Sequence, residues 1–328
     1  MRRRALLAAA ASAGLGACGA TPGARPLYAA DTHPGDYPTV AAVGWFAEEV
    51  ARRSHGRLGV RQYPGGQLGE EKDTLELTIF GGVDINRVNL APLNAIAPET
   101  IVPTLPFLFR SEAHMRAAMA GDPGKAVFAA LRRHRLIGLC FYDSGARSFY
   151  TTRRPVLAPG DLRGMKIRVQ NSDVFVAMVD ALGGDATPMS YGEVYGALLQ
   201  GVVDGAENNW PSYESSRHFE AAKHYSLTRH VIAPEALVMS ARRWDKLAPE
   251  DQALIAGAAA DSVAVMAQLW TERETGAEAR LRAAGVSVAE PPDRDAFARL
   301  MAPVWARFLR AGPLRRLSED ILALGAAP

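Results

Sequence analysis

The chain has 328 residues, and 37 lysines and arginines nearly balance 35 aspartates and glutamates, for a formal net charge of +2. This balance excludes the strongly basic surface by which proteins bind nucleic acids. The length exceeds what one compact core usually serves, so we expect two lobes.

The first residues are typical of an export signal. Three arginines at positions 2–4 precede an apolar run of 13 residues, 5–17, which is too short to span a bilayer. The run ends in Leu15-Gly16-Ala17-Cys18, which resembles a bacterial lipobox and predicts lipidation of Cys18. An ordinary signal cut slightly downstream is the alternative. We assign residues 1–26 to a leader and tether, and expect a periplasmic protein that is held to the membrane if Cys18 is lipidated.

A first α/β module follows the leader. Residues 27–30 and 57–63 have the pattern of strands, and apolar residues recur at helical spacing from Trp45 to Arg53. A second helix is predicted from Glu70 to Phe80, before a third strand over residues 81–88. The order βαβαβ predicts a parallel sheet covered by helices.

The same order recurs later in the chain. We predict a strand at Met165–Val169, a helix at Ser172–Leu182 and a second strand at 183–189. Ser190 and Glu193 have the spacing of a capping box that opens another helix, and residues 202–208 close the module. Two such modules predict two α/β lobes.

Two segments would join these lobes. Residues 136–156 are rich in strand formers and broken at Gly145, as a hinge crossover would be. Residues 249–284 contain almost no helix breakers and predict one helix, which could span about 50 Å at about 1.5 Å per residue and touch both lobes. We expect lobe I at 27–145, completed by about 235–275, and lobe II at 146–234, completed by about 276–328.

Common enzyme motifs do not occur in the sequence. It has no G-x-S-x-G, H-E-x-x-H or C-x-x-C pattern and no phosphate-binding loop. The seven histidines are scattered, with no spacing that suits a metal site. We therefore expect neither a cofactor nor a metal.

Selective polar residues instead follow the predicted strands, where open α/β sheets bind ligands. Arginine suits a carboxylate because its planar fork donates two parallel hydrogen bonds. Asparagines suit hydroxyl groups, and the flat faces of Trp210 and Tyr213 could pack against a sugar ring. The candidates are Arg87, Arg147, Arg168, Gln170, Asn208, Asn209 and Trp210.

Each candidate has a structural alternative. Arg168 could be a solvated strand residue, Asn208 and Asn209 a turn, and Trp210 a core aromatic. Glu71, a further candidate, could be a solvated helix start. From the residues alone, the chain is an exported two-lobed binding protein or an enzyme.

Three segments, GDLRGMKIRVQNSDVF, GGDATPMSYGEVYGALLQGVVDGAENNWPSY and AAKHYSLTRH, resemble the DctP-type substrate-binding proteins of tripartite ATP-independent periplasmic (TRAP) transporters. The resemblance covers about residues 27–325. It implies an α/β, two-lobe, type II periplasmic-binding-protein-like fold with hinge crossovers and a long helix spanning both lobes. It also implies that Arg168 pairs with a substrate carboxylate, that Arg147 assists, and that Asn208 lines the pocket.

The resemblance further implies a substrate class. GAENNWPSYES is similar to members that bind hexuronates such as glucuronate or galacturonate, and INRVNLAPL is similar to the same group. His33 and Asp36, in the loop after the first strand, would be hydroxyl partners, while the role of Arg87 stays open. The implied partners are a small organic acid and the membrane permease subunits of a TRAP transporter, with the receptor itself a monomer.

Three other functions remain as alternatives at this point. The chain could be a receptor for a C4-dicarboxylate or another sugar or keto acid. It could be the binding subunit of a sensor kinase. It could also be an exported uronate hydrolase or lyase with Glu207 or Asp204 as the base, although no paired acid and base are evident in the sequence.

Overall fold

The structure is a computed structural model that describes residues 25–310 and 312–325. The predicted leader lies outside these residues except for Arg25 and Pro26, and so does the proposed lipidation site Cys18.

The described residues form eleven strands in two sheets. The strands are β1 (Leu27–Ala30), β2 (Val60–Tyr63), β3 (Ile85–Asn89), β4 (Leu136–Tyr142), β5 (Ala146–Thr151), β6 (Lys166–Val169), β7 (Asp185–Pro188), β8 (Gly205–Asn208), β9 (His224–Ile232), β10 (Glu235–Ser240) and β11 (Ser287–Ala289).

Twelve α-helices among the described residues cover the sheets. They are α1 (Pro38–Arg53), α2 (Glu71–Phe80), α3 (Glu112–Ala120), α4 (Asp122–Arg133), α5 (Asp173–Ala181), α6 (Val194–Leu199), α7 (Trp210–Ser215), α8 (Ala241–Trp244), α9 (Pro249–Ala283), α10 (Asp295–Arg299), α11 (Ala302–Phe308) and α12 (Gly312–Leu324).

Each sheet contains one of the two predicted modules. The first sheet has the order β2-β1-β3-β10-β4, with β1 parallel to both β2 and β3. The second has the order β11-β9-β5-β8-β6-β7, with β6 parallel to both β7 and β8. The predicted βαβαβ order is therefore confirmed in both sheets.

The antiparallel strands of both sheets come from the crossover segments. Strand β4 lies at the edge of the first sheet, and the chain then passes through residues 143–145 into β5 of the second sheet. Strand β9 returns through residues 233–234 to β10, which pairs antiparallel with β3 and β4. Two short crossings thus join the sheets, as the predicted hinge requires.

Local sequence signals account for most element boundaries. Helix α1 begins at Pro38, earlier than the predicted Trp45, because proline is favoured in the first turn of a helix. Helix α2 ends at Gly81, whose φ of 85° is a left-handed cap, so the following strand starts only at Ile85. The Ser190–Glu193 capping box is present and opens a short 3-10 turn before α6.

Helix α9 is the predicted long helix, and its 35 residues extend through both halves of the molecule. Ile255, Met266 and Trp270 belong to the core beside the first sheet, whereas Ala277 and Leu281 belong to a core of the second. An 18-residue window of α9 has a mean hydropathy of 1.4, and a third of that window is buried inside the molecule.

The bounds of the two lobes stay a prediction. One hydrophobic core contains Met115 from the predicted lobe I together with Phe175 and Ile321 from the predicted lobe II. The C-terminal helix α12 therefore contributes to packing between segments that the sequence assigns to different lobes.

Candidate functional site

A cavity lies between the sheets, at the carboxyl ends of β1, β3, β6 and β8. The first sheet and its helix α2 contribute the wall that we call the first wall, formed by His33, Glu70, Glu71, Lys72, Arg87, Asn89, Pro92 and Glu235. The second sheet contributes the second wall, formed by Arg147, Arg168, Gln170, Asn171, Met189, Ser190, Tyr191, Asn208 and Ser212.

Arg168 lies in β6 and is only 3% exposed. It is therefore not the solvated strand residue that the sequence left as an alternative. Its Nε and Nη2 atoms donate to the Met189 carbonyl oxygen at 2.9 and 2.6 Å, which fixes the guanidinium in the cavity wall. Among the described residues, no carboxylate forms a salt bridge with it. Burial lowers the pKa of Arg168, as expected for a cation without its own counter-ion.

Arg147 lies in β5, is equally buried, and has a different environment. Its Nε and Nη2 donate to the Glu207 carboxylate at 2.5 and 2.7 Å, and Nη1 donates to Asn208 Oδ1 at 2.8 Å. Its charge is therefore neutralised within the protein. The same contacts orient Asn208, which also lines the cavity.

Glu207 is held as the ionised partner of Arg147. Burial alone would raise its pKa, but the charge and hydrogen bonds of Arg147, with His230 Nε2 3.5 Å away, outweigh burial and lower that pKa below its usual value. Asp204 does not line the cavity, and it accepts a hydrogen bond from the Lys166 backbone at 3.0 Å. Neither carboxylate is placed as a free base, which disfavours the hydrolase or lyase hypothesis.

Arg87 extends from β3 into the first wall and is surrounded by carboxylates. Its Nε donates to Asp31 Oδ2 at 2.8 Å, and Nη2 donates to the other oxygen of Asp31. Its Nη1 lies 3.2 Å from Glu235 Oε2 and 3.8 Å from Glu71 Oε1. The role of Arg87 that the sequence left open is thus, at least in part, to compensate buried acids.

The remaining predicted residues that line the cavity are polar; Gln170 and His33 are buried, and Glu71 is half-buried. The Gln170 amide nitrogen has no partner among the described residues. His33 stacks on Tyr37 with ring centroids 3.9 Å apart, and burial holds its pKa well below the usual value, so the ring is neutral. Glu71 accepts a hydrogen bond from the Asn89 backbone at 2.7 Å.

The structure does not bring Asn209, Trp210, Tyr213 or Asp36 to the cavity. Asn209 caps α7 by accepting from the Ser212 N–H at 2.7 Å. As a result Trp210 points into the core, where it stacks on Tyr225 with centroids 3.7 Å apart. Tyr213 is buried in the same core, and Asp36 is an exposed partner of Arg273 at 3.1 Å.

Sequence reasoning missed several residues of the site. Glu235 follows a proline at the start of an apolar strand, and Asp31 immediately follows β1, a position that could have identified it. Tyr191 was not among the candidates, yet it lines the cavity, and its ring meets the ring of His33 edge-on across the two walls, with centroids 4.7 Å apart.

Comparison with known proteins gives one consistent result. Residues 29–311 match the DctP family model, described as bacterial extracellular solute-binding protein, family 7. A solute-binding protein of Chromohalobacter salexigens is 42% identical over 290 residues, which cover 88% of this chain and 86% of that protein.

Solved structures agree with this match. A TRAP periplasmic solute-binding protein from Bradyrhizobium sp. BTAi1, in complex with α/β-D-galacturonate, is 50% identical with a TM-score of 0.90, and the match covers 91% of this chain and 100% of that one. Another from Chromohalobacter salexigens, with bound D-glucuronate, is 41% identical with a TM-score of 0.89 and coverage of 91% and 99%.

Proposed function

Because the chain belongs to the DctP family of bacterial extracellular solute-binding proteins, we propose that it is a TRAP transporter receptor for a hexuronate such as D-galacturonate or D-glucuronate. The solved relatives that bind these two sugars support this substrate class.

One observation carries the proposal: Arg168 is buried in the cavity, fixed by the Met189 carbonyl, and forms no salt bridge with a described carboxylate. A buried cation is costly unless an anion compensates it. The carboxylate of a uronate would supply that charge and accept hydrogen bonds from the guanidinium.

The rest of the cavity suits a neutral, hydroxylated ring. Gln170, Asn89 and Asn208 offer amides, Ser190 and Ser212 offer hydroxyl groups, and Tyr191 offers an aromatic face. These side chains come from both sheets, so a ligand would contact both walls at once. Closure of the two walls about the crossings at 143–145 and 233–234 would then enclose it.

We further propose that the closed receptor delivers its ligand to the permease subunits of the transporter without making or breaking a bond. Glu207 forms an ion pair with Arg147 and so is not free to act as a base, which supports a binding role over catalysis. Lipidation of Cys18 would hold the receptor at the membrane.

Calorimetric titration with D-galacturonate, D-glucuronate and D-galactose tests the proposal. Galactose is the matched control, because it differs from galacturonate only in having CH₂OH in place of the carboxylate. We expect both uronates to bind at one site and galactose to bind at least about 100-fold more weakly, since it leaves Arg168 uncompensated. Absence of uronate binding, or equal affinity for galactose, would refute the proposal.

A further inference from the structure

The two walls of the cavity differ in charge. On the second wall, Arg147 is neutralised by Glu207, so Arg168 is left as an uncompensated positive charge. On the first wall, the single buried cation is Arg87, and three buried or half-buried carboxylates surround it: Asp31, Glu71 and Glu235.

Asp31 forms the strongest contact with Arg87. It accepts from both Nε and Nη2, in a bidentate pair that uses two of the five N–H donors, and the other two acids lie nearest to Nη1. Glu71 and Glu235 therefore share one nitrogen, at 3.8 and 3.2 Å. One guanidinium cannot compensate three ionised carboxylates.

Glu235 is the least satisfied of the three. It is 2% exposed, and its Oε2 atom forms no hydrogen bond within the described residues despite its closeness to Arg87. The charged and titratable groups that face it are Arg87, Asp31, Glu71, Arg147 and the Tyr37 hydroxyl. Burial, followed by the charges of Asp31 and Glu71, raises the pKa of Glu235 to about 7 against the pull of Arg87.

The other residues of the first wall do not change its balance of charge. Glu70 and Lys72 lie at the edge of the first wall and carry opposite charges. His33 adds no charge, since burial and the nearby arginines keep its pKa well below the usual value. The cavity therefore has a positive second wall and a first wall with excess negative charge.

We propose that Glu235, with Asp31 and Glu71 around Arg87, makes the first wall a seat for the uncharged, hydroxyl-bearing end of the ligand and excludes acids that carry a carboxylate at both ends. This inference rests on the proposed function, in which Arg168 holds the single carboxylate. Hydroxyl groups can both accept from a protonated Glu235 and donate to Glu71 or an ionised Glu235. A second carboxylate would meet like charges in a desolvated site, which is selection by repulsion.

Galactonate and galactarate test the inference, because these open-chain acids differ only in a terminal CH₂OH or carboxylate. Their affinities are measured by displacement of D-galacturonate at pH 6 and at pH 8.5, on either side of the Glu235 pKa of about 7. At pH 8.5 we expect galactarate to bind at least about ten-fold more weakly than galactonate, the factor that one pKa unit of repulsion produces. The ratio of the galactonate affinity to the galactarate affinity should be smaller at pH 6, where Glu235 is protonated.

Two variants separate the charge of Glu235 from other effects. In Glu235→Gln the ratio of the two affinities should be small and independent of pH. Glu274→Gln is the matched control, because the pKa of Glu274 is also about 7 but this residue does not line the cavity. We expect Glu274→Gln to retain the wild-type ratio at both pH values.

If neither open-chain acid displaces galacturonate, a second measurement tests the role of Glu235. Calorimetry in buffers of different ionisation enthalpy counts protons taken up when galacturonate binds at pH 8. The wild type should take up a fraction of a proton, because the bound ligand expels water from Glu235, and Glu235→Gln should take up none.

Equal affinities for galactonate and galactarate at pH 8.5 would overturn the inference while leaving the proposed function intact. A ratio unaffected by Glu235→Gln would overturn it too, as would galacturonate binding without proton uptake if the open-chain acids fail to compete. Failure of galacturonate itself to bind would instead refute the proposed function, and the inference with it.

Discussion

Arg147 and Arg168 lie on strands β5 and β6 of the same sheet, line the same cavity, and are each 3% exposed. They differ in what surrounds the guanidinium. Arg147 donates to both carboxylate oxygens of Glu207 and to Asn208, whereas within the described part of the chain Arg168 donates only to the Met189 carbonyl. Burial and residue type therefore do not distinguish the two arginines, and the compensation of the charge within the protein does.

This difference assigns the two arginines different tasks. Arg147 holds Glu207 and Asn208 in place and stabilises the fold around the cavity. Arg168 has no salt bridge among the described residues, and under the proposed function a ligand anion would compensate its charge. The predictions below would separate the two tasks or show that they are shared.

The largest expected effect is on folding. Arg147→Met removes the partner of the buried Glu207 and should lower the free energy of unfolding by about 3–5 kcal/mol. Urea denaturation measures this change. The double variant Arg147→Met/Glu207→Leu should recover much of the loss, since no unpaired charge remains buried. A single variant as stable as the wild type would show that the ion pair is not structural.

The second expected effect is on binding. Arg168→Ala should weaken galacturonate binding by about 3 kcal/mol, or roughly 100-fold, and should not lower the melting temperature of the ligand-free protein. Calorimetric titration and thermal unfolding measure the two quantities. Lys166→Ala, on an exposed position of the same strand, is the control and should leave the affinity unchanged. Near-native affinity in Arg168→Ala would contradict the assigned role.

The same comparison applies to the buried acids. Glu207 has a lowered pKa beside its own arginine, whereas burial raises the pKa of Glu235 to about 7. The unfolded chain ionises Glu235 near pH 4.3, so it binds fewer protons than the folded protein between there and about pH 7. The free energy of unfolding should therefore fall as the pH rises through this window. Above about pH 7 the full cost of ionising the buried Glu235 should be present.

Glu235→Gln removes that cost. We expect the variant to be more stable than the wild type at pH 8.5, by at most about 4 kcal/mol, and the difference to narrow towards pH 4.5. Thermal unfolding of both ligand-free proteins across this range measures it. A difference that grows towards low pH would have the wrong sign and would show that Glu235 is compensated like Glu207.

The smallest expected effect concerns the aromatic residues. Trp210→Phe should change galacturonate affinity by no more than about two-fold, because Trp210 packs on Tyr225 and shares no contact with the cavity. Tyr191→Ala is the comparison variant and should weaken binding clearly, since Tyr191 lines the cavity. Calorimetric titration distinguishes them, and the reverse order of effects would restore Trp210 as a ligand contact.

Local patterns in the sequence predicted the elements of the fold well. Strand β1 and helix α9 were predicted within one residue of their bounds, because alternation and long breaker-free runs are local signals. The antiparallel pairing of β10 with β3 depends on residues distant in the chain, and no local pattern specifies it.

In the candidate site, too, local position was predictable and contacts between distant residues were not. Five residues chosen for their positions in or after strands line one cavity, and their roles in binding stay predictions: Arg87, Arg147, Arg168, Gln170 and Asn208. Which arginine is compensated could not be predicted, because Arg147 meets Glu207 from 60 residues away and Arg87 meets Asp31 from 56. Trp210 followed the same positional rule, but the cap formed by Asn209 begins a helix there and turns its ring into the core.

Helix α9 has a mechanical consequence for how such a molecule can open. A continuous helix of 35 residues that packs against both halves resists bending, so the halves would separate by a rotation about the helix rather than by a bend within it. The crossing at Gly145 lies close to the same helix, since a methyl group at this position would come within 2.9 Å of the Trp270 ring. A side chain at position 145 would therefore not fit between the crossing and the helix.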